Sequence, residues 1–462
     1  MDTMQKEDTV MYKPTQIAAG LLAGSLLSSG ASAATTAELE QRIQELEQTV
    51  RLLSRKQEVS EEVYVADKTR AATNGTVKAG PDGFALVSPD KKAELKFRGL
   101  MQFDGRFGVD DDKDNDTFLF RRLRPTIDGK IGDVSWRITP EFANDDADLV
   151  DGYIDYKTSA PVVLRAGQYK APVGLERLQS ANAIVFLERA FPTELAPNRD
   201  RGFAAYSTLL DNRLSLEISG SNGTPDGRDA TNVDFDGEPE VAARIFFEPV
   251  PGIGFGIAGT HGEKISENDT RTASTSNANA FLPRYRSPAQ NTIFQYNTGA
   301  LADGDHTRFT PQAYAYVGPF GVMAEYIEST QEVGFESDTQ AFSSDDFTNK
   351  AAQITAVWSI TGEDQSFKGI KPRNPGLNAG AWELALRYST LEVDDTIFDL
   401  GFSDPNKNVQ KADEAAIGVN WIITQNVKLA ANYTHTSFDG GAAKGGDRED
   451  EEVFSTRVQL NY

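Results

Sequence analysis

From Ala93 onward the chain alternates between apolar and polar positions. In AELKFRGLMQFDGRF, Leu95, Phe97, Gly99, Met101, Phe103 and Phe107 fall on one face, and Glu94, Lys96, Arg98, Gln102, Asp104 and Arg106 on the other. Successive side chains of a β-strand point to opposite faces, so such a strand separates an oily environment from a wet one. One strand of this kind suits a soluble sandwich equally well; the repetition decides. Further alternating stretches are read at 117–131, 134–143, 148–157, 161–170, 201–209, 212–222, 239–248, 252–262, 306–317, 320–331, 349–360, 380–393, 411–423, 426–438 and 451–462. With 93–107 they make sixteen, an even number of a size that encloses an aqueous channel. The expected class is all-β: a sixteen-stranded antiparallel transmembrane β-barrel over 93–462.

The connections support this. Alternate ones are short turns, such as Leu210-Asp211-Asn212 and Gly318-Pro319, and the others are mostly long and polar. Short periplasmic turns and long outer loops are the outer-membrane pattern. Two connections break it: 144–147 is a short outer loop, and 361–379 is a long inner one whose role the sequence does not explain. The last strand ends on Tyr462, and Trp136, Tyr156, Trp382, Tyr388, Trp421 and Tyr433 are candidates for the aromatic girdles.

One connection differs in kind. Gln168 to Gly202 has no clean period, carries both signs of charge, and includes Ile184, Val185, Phe186, Leu187 and Phe191, which water should not keep. A long irregular loop that still wants burial is usually functional. This third loop is expected to fold into the lumen, so that 170–200 narrows the pore.

Upstream, 1–33 reads as a signal peptide, with Lys13 at its positive end, an apolar centre at 17–27 and Ala31-Ser32-Ala33 before the cut; Met11 is a better start than Met1. Segment 34–60 reads as a short coiled-coil helix, because Leu39, Ile43, Leu46, Val50 and Leu53 recur at coiled-coil spacing. Two uses are open for it: a solvated helix touching the barrel, or a periplasmic coil joining three copies. Segment 61–92 reads as linker. Export points to the outer membrane of a Gram-negative cell, with the helix in the periplasm.

Composition narrows the chemistry. The 462 residues contain no cysteine, so neither disulfide nor thiolate metal site is possible. The balance of 46 basic against 69 acidic residues, formally −23, disfavours nucleic acid. Mean hydropathy is −0.44, and no apolar run after residue 33 is long enough for a membrane helix. Much of the negative charge lies in outer loops such as 110–116 and 447–452, where divalent ions could bridge it to lipopolysaccharide. The DxDxD spacing from Asp112 lacks the Gly and closing Glu of a calcium loop, so no metal and no cofactor is expected. His261, His306 and His435 are paired with no nucleophile by spacing, which argues against a hydrolase.

Alternation selects the inward basic residues: Lys96, Arg98, Arg106, Arg122, Arg124, Lys130, Arg137 and Arg165, with Leu119, Leu123 and Ile127 facing out. The third loop and its edges add Lys170, Arg189, Arg199 and Arg201. Clusters of Arg and Lys are how pores favour anions. Yet Glu94, Asp104, Asp128, Glu141, Asp151 and Asp155 share the inward faces. If the two signs pair, the pore becomes a general one of low selectivity. A tether or adhesin built on the helix and acidic loops is the remote alternative.

Several phrases resemble the phosphate-selective porin O and P family: FRRLRPTIDGKIGDVSWRITPEF (Phe120–Phe142), DGYIDYK (Asp151–Lys157), LRAGQYKAPVGLE (Leu164–Glu176), FLERAFPTELAPNRDRGF (Phe186–Phe203), WSITGE (Trp358–Glu363) and GAWELALRYSTLEVDD (Gly380–Asp395). The resemblance covers most of 93–462. It implies a homotrimer of sixteen-stranded barrels, an inward third loop, and a ladder of basic side chains guiding small inorganic anions such as phosphate.

Overall fold

The computed structural model describes residues 35–81, 83–109, 116–143, 147–227, 237–266, 281–337 and 340–462. The expected signal peptide and most of the acidic loop at 110–116 lie outside them. So does most of the short outer loop at 144–147.

One large sheet holds nineteen strands. Setting aside the two strands of an N-terminal hairpin (Thr76–Gly80 and Gly83–Val87) and the two-residue strand Gly446–Asp447 leaves the sixteen of the wall. In chain order these are β1 Ala93–Gly108, β2 Thr117–Ile131, β3 Val134–Glu141, β4 Asp148–Lys157, β5 Val162–Lys170, β6 Arg199–Leu209, β7 Leu214–Ser221 and β8 Glu240–Val250. They continue as β9 Ile253–Ile265, β10 Ala300–Val317, β11 Phe320–Ser337, β12 Gln340–Ser359, β13 Ala381–Glu392, β14 Val409–Ile422, β15 Val427–Ala442 and β16 Glu451–Asn461. Each pairs antiparallel with the next, and β16 pairs back onto β1, with Phe454 opposite Phe107 and Leu460 opposite Met101. The wall is therefore closed and leaves no open edge within the membrane, where an unpaired backbone group would cost several kcal/mol.

The two faces separate as alternation requires. Phe203, Phe118, Ile154, Phe255, Leu386 and Val458 are exposed on the outer skin, while Gln102, Asp104, Gln353, Glu414, Asn420 and Gln459 are buried on the inner face. Two glycines make room for aromatic rings on the wall. A Cβ on Gly129 would lie 2.0 Å from the Trp136 ring of the facing strand, and one on Gly99 would lie 2.6 Å from the ring of Tyr462. The chain end is held there by reciprocal backbone bonds between Gly99 and Tyr462 of 3.0 and 3.1 Å.

The structure corrects the reading of β2. Gln102 faces Arg122, but the next pair is Phe103 with Phe120, so Arg121 is an extra residue in a β-bulge. Beyond the bulge the parity inverts. Phe118 (68% exposed) and Phe120 (44%) take the outer face, and Leu119, opposite Asp104, turns inward. A bulge changes no residue's polarity, so hydropathy alone does not reveal it.

Three strands outrun their expected length by six residues or more. β10 begins at Ala300, and β11 and β12 stay paired as far as Ser337 opposite Gln340. Beyond the membrane the outward positions no longer need to be apolar. The period-two pattern fades while backbone pairing continues. The stretch expected as one loop from 262 to 305 also contains a small hairpin, Arg284–Arg286 with Thr292–Gln295. Its Tyr285, Ile293 and Phe294 pack with Phe191, Leu195, Phe347, Phe398 and Phe402 in an apolar cluster.

A single helix runs Thr36–Thr73, well past residue 60, into the stretch read as linker. Leu39, Ile43, Leu46, Val50 and Leu53 are all more than half exposed on it.

The bulge generates a test. The native chain has no cysteine, so single substitutions report cleanly. Leu119→Cys should react with a charged, water-soluble thiol reagent and lose part of its channel current, whereas Phe118→Cys in the membrane should not react. The reverse pattern would show β2 to be unbulged.

Candidate pore site

The segment between β5 and β6 is buried along nearly its whole length. Val173, Leu175, Ile184, Phe186, Leu187, Phe191 and Leu195 lie in contact with the protein rather than water. It holds only two single helical turns, Leu175–Leu178 and Pro192–Leu195. A buried irregular backbone leaves carbonyls without partners, and inner-face side chains supply the donors. Gln102 donates to the Ala181 carbonyl at 3.0 Å, Gln459 to Asn182 at 3.1 Å, Lys428 to Ile184 at 2.9 Å, Asn420 to Val185 at 2.9 Å and Arg387 to Glu188 at 2.9 Å. These five donors stand on β1, β13, β14, β15 and β16. On β11 and β12, the Glu325 carboxylate accepts from the Leu175 and Glu176 amides, and Gln353 donates to Glu325 at 2.7 Å and to Glu176 at 3.1 Å.

The long inner connection at 361–379 now has a role. It reaches the same segment: Gln179 donates to the Phe367 carbonyl at 2.8 Å, and the Phe367 ring stacks on Tyr314 at 5.3 Å. Gln365 donates to Glu383 at 2.8 Å.

A cavity of about 990 Å³, the candidate passage, is lined by β1 to β7 and one side of the buried segment. Of the twelve basic residues named from sequence, ten border it: Arg98, Arg106, Arg122, Arg124, Arg137, Arg165, Lys170, Arg189, Arg199 and Arg201. Lys96 and Lys130 lie outside the lining; Lys130 is exposed next to the 131–134 turn. Alternation missed Arg121, which the bulge brings to the passage. Arg177 and Arg286 also border it from loops that have no period to read.

Eleven of these cations divide into two groups. Arg98 and Arg137 share Asp128 at 2.6 and 2.7 Å, Arg124 meets Glu141 at 2.6 Å, Arg165 meets Asp155 at 2.7 Å, and Arg199 meets Asp151 at 3.0 Å. Arg106 and Arg121 both hold Glu188, at 2.7 and 2.6 Å. Four others have no carboxylate within ion-pair distance among the described residues. Arg122 donates to the Gln102 amide oxygen at 2.6 Å, and its buried Nε has no partner among the described residues. Lys170 donates to the carbonyls of Arg177 at 2.6 Å and Gln179 at 3.1 Å. Arg189 donates to the carbonyls of Glu176 and Gln179, each at 2.9 Å, and Arg201 to the Gln168 amide oxygen at 3.1 Å. Burial pushes the Arg189 guanidinium down to about 10; Glu176 opposes the shift, and Arg199, Arg124 and Arg121 add to it. It is still charged at neutral pH. Positive charge along the passage exceeds the carboxylate that borders it.

A Ser329–His306–Asp226 grouping does not form a catalytic relay. Ser329 Oγ at 2.9 Å and Asp226 Oδ1 at 3.4 Å approach the same imidazole nitrogen, Nε2. A nucleophile's base needs its orienting carboxylate on the other nitrogen. Asp226 instead ties its loop to the wall through Arg308 at 2.6 Å; burial alone would raise its carboxyl, but Arg308 and His306 outweigh that and hold it at about 2.

The sequence pattern described as "Phosphate-selective porin O and P" matches residues 94–462, which is most of the chain. The chain belongs to this family. It is 25% identical over 457 residues to Porin O of Pseudomonas aeruginosa, covering 87% of this chain and 96% of that protein. Its fold is similar to that of the outer membrane channel DcaP of Acinetobacter baumannii, with a TM-score of 0.51 and 14% identity over 83% of this chain and 99% of the other. The family and the closed barrel make this an outer-membrane porin.

In this porin, Arg387 of β13 carries the most concentrated grip on the buried segment. It binds the Glu188 carbonyl, forms a fork on Glu414, stands 3.8 Å from Glu176, and covers the Phe186 ring at 4.4 Å from its centroid. Arg387→Met should cost about 3–5 kcal/mol, the usual loss when one partner of a buried ion pair is removed. It should also free the segment, which single-channel recording would register as a larger and noisier conductance. An unchanged conductance would mean the segment is held elsewhere.

Proposed function

We propose that this porin passes small anions by diffusion, with phosphate or related oxyanions preferred, through a passage that the segment at 170–200 narrows. The observation that carries this reading is the set of four bordering cations, Arg122, Lys170, Arg189 and Arg201, held by neutral oxygens instead of carboxylates. Neutral acceptors orient these groups and leave their charge free for a passing ion. Arg meets phosphate oxygens two at a time, and several such groups in sequence let an ion enter and leave. The paired arginines favour a second reading, a general pore of low selectivity, because each carboxylate offsets one guanidinium along the wall.

The same reading takes the functional unit as a homotrimer. The Thr36–Thr73 helix stands in the periplasm, and its exposed Leu39, Ile43, Leu46, Val50 and Leu53 seam joins three copies. The acidic outer loops meet lipopolysaccharide through divalent ions. No nucleic acid, metal or organic cofactor enters the scheme, and no chemical step is catalysed.

Reversal potentials of the purified porin in planar bilayers under a KCl gradient test the central claim. Anion preference is expected, with phosphate blocking the chloride current at low millimolar concentration or below; cation preference would defeat it. The double substitution Arg122→Gln with Arg189→Gln should lower the anion-to-cation permeability ratio several-fold. It should also raise the half-blocking phosphate concentration about tenfold, equivalent to ~1.4 kcal/mol. Removal of 35–60 should leave conductance per barrel unchanged and weaken the trimer on native gels or in sedimentation. A trimer of full strength without those residues would remove the coil from the scheme.

A further inference from the structure

Glu188 is the carboxylate that the buried segment itself carries into the passage. Arg121 grips it at two points, Nε to Oε1 at 2.6 Å and Nη2 to Oε2 at 3.0 Å. Arg106 adds a third bond, Nη2 to Oε1 at 2.7 Å. This is the fork with which guanidinium holds any carboxylate or phosphate. Arg106 also lies 3.9 Å from Asp104, but Asp104 is already committed to Arg457 by bonds of 2.7 and 2.6 Å. Two guanidinium groups thus share essentially one carboxylate, immediately beside Arg122, whose Nε has no partner among the described residues.

We propose that Glu188 is a built-in competitor: its carboxylate occupies the Arg106–Arg121 fork that would otherwise hold a permeating oxyanion, and so sets how weakly the passage binds what it carries. The inference rests on the anion reading above. A purely structural role for the carboxylate is not needed to place the segment. The Glu188 backbone is fixed from β13 through its carbonyl and Arg387, and Phe186, Leu187, Ala190 and Phe191 around it are buried. The side chain is a short tether that presents one carboxylate to the fork at high effective concentration. A mobile oxyanion must displace or share with it. Conduction requires such weakening, because a site that binds too well stops the current. Glu188 is therefore a specificity-determining residue: it sets affinity, and the unpaired cations set sign.

The test uses the full-length porin in planar bilayers, reading the phosphate concentration that halves the chloride current. Glu188→Gln keeps the shape and removes the charge, and should lower that concentration at least tenfold. Glu188→Ala should do the same and, in addition, open a notch of carboxylate size. Millimolar formate should then fill it and bring phosphate block back toward the native value, while the native channel and Glu188→Asp should not respond to formate. Phosphate block that is unchanged or weaker in both neutral variants overturns the proposal, as does an absence of any formate effect in Glu188→Ala. The native channel separates the two levels of argument. Cation preference there removes the anion reading itself, whereas anion preference without tighter block in the variants removes only the competitor.

Discussion

Positive charge taken out of bulk water must be answered by something, and in this barrel the answer organises the interior. Strands β1, β2, β3, β5 and β6 bring a dense set of guanidinium groups to the passage. Part of that charge is met by carboxylates on adjacent strands, as with Asp128, Glu141 and Asp155, or two strands away, as with Asp151. Another part is met by Glu188 from the buried segment. The rest is held by amide and peptide oxygens, which supply hydrogen bonds but no full negative charge. The segment's backbone offers those oxygens because it is neither helix nor strand, and its free carbonyls face the wall.

The same shortage works in both directions. An irregular chain buried inside a protein needs donors for its carbonyls, and a cationic wall needs acceptors. Gln102, Asn420, Lys428, Arg387 and Gln459 meet residues 181–188 on these terms. On the far side, apolar loops pack Tyr285, Phe294, Phe347, Phe398 and Phe402 together. The open cavity lies along the arginine-rich wall. The long inner connection fits this arrangement too, since Phe367 and Gln365 close off space that polar wall residues would otherwise leave to solvent.

Much of this was legible in the sequence because a membrane barrel imposes a rule on every residue of its wall. Each strand must show lipid an apolar face and the bore a polar one, so sixteen strands, their order and most inward arginines follow from alternation. The rule fails where its cause is missing. The bulge at Arg121 shifts parity without changing composition, so alternation alone places Leu119 on the wrong face. The extensions of β10, β11 and β12 lie beyond the oily layer, where nothing enforces alternation. Lys96 and Lys130 share the inward parity of their strands, but parity says nothing of position along the barrel, and both fall outside the passage.

The sequence by itself determined the cylinder, its two faces, its closure and the presence of one long segment that required burial, because these depend on local periodicity and on the membrane's demand for paired backbone. Which cation meets a carboxylate and which meets a peptide oxygen was decided only by the tertiary structure. Residues such as Arg106 and Glu188, or Arg387 and Glu188, lie far apart in the chain. The strength and neutralisation of a charge depend on what stands within a few ångströms of it in space, and no spacing along the chain encodes that.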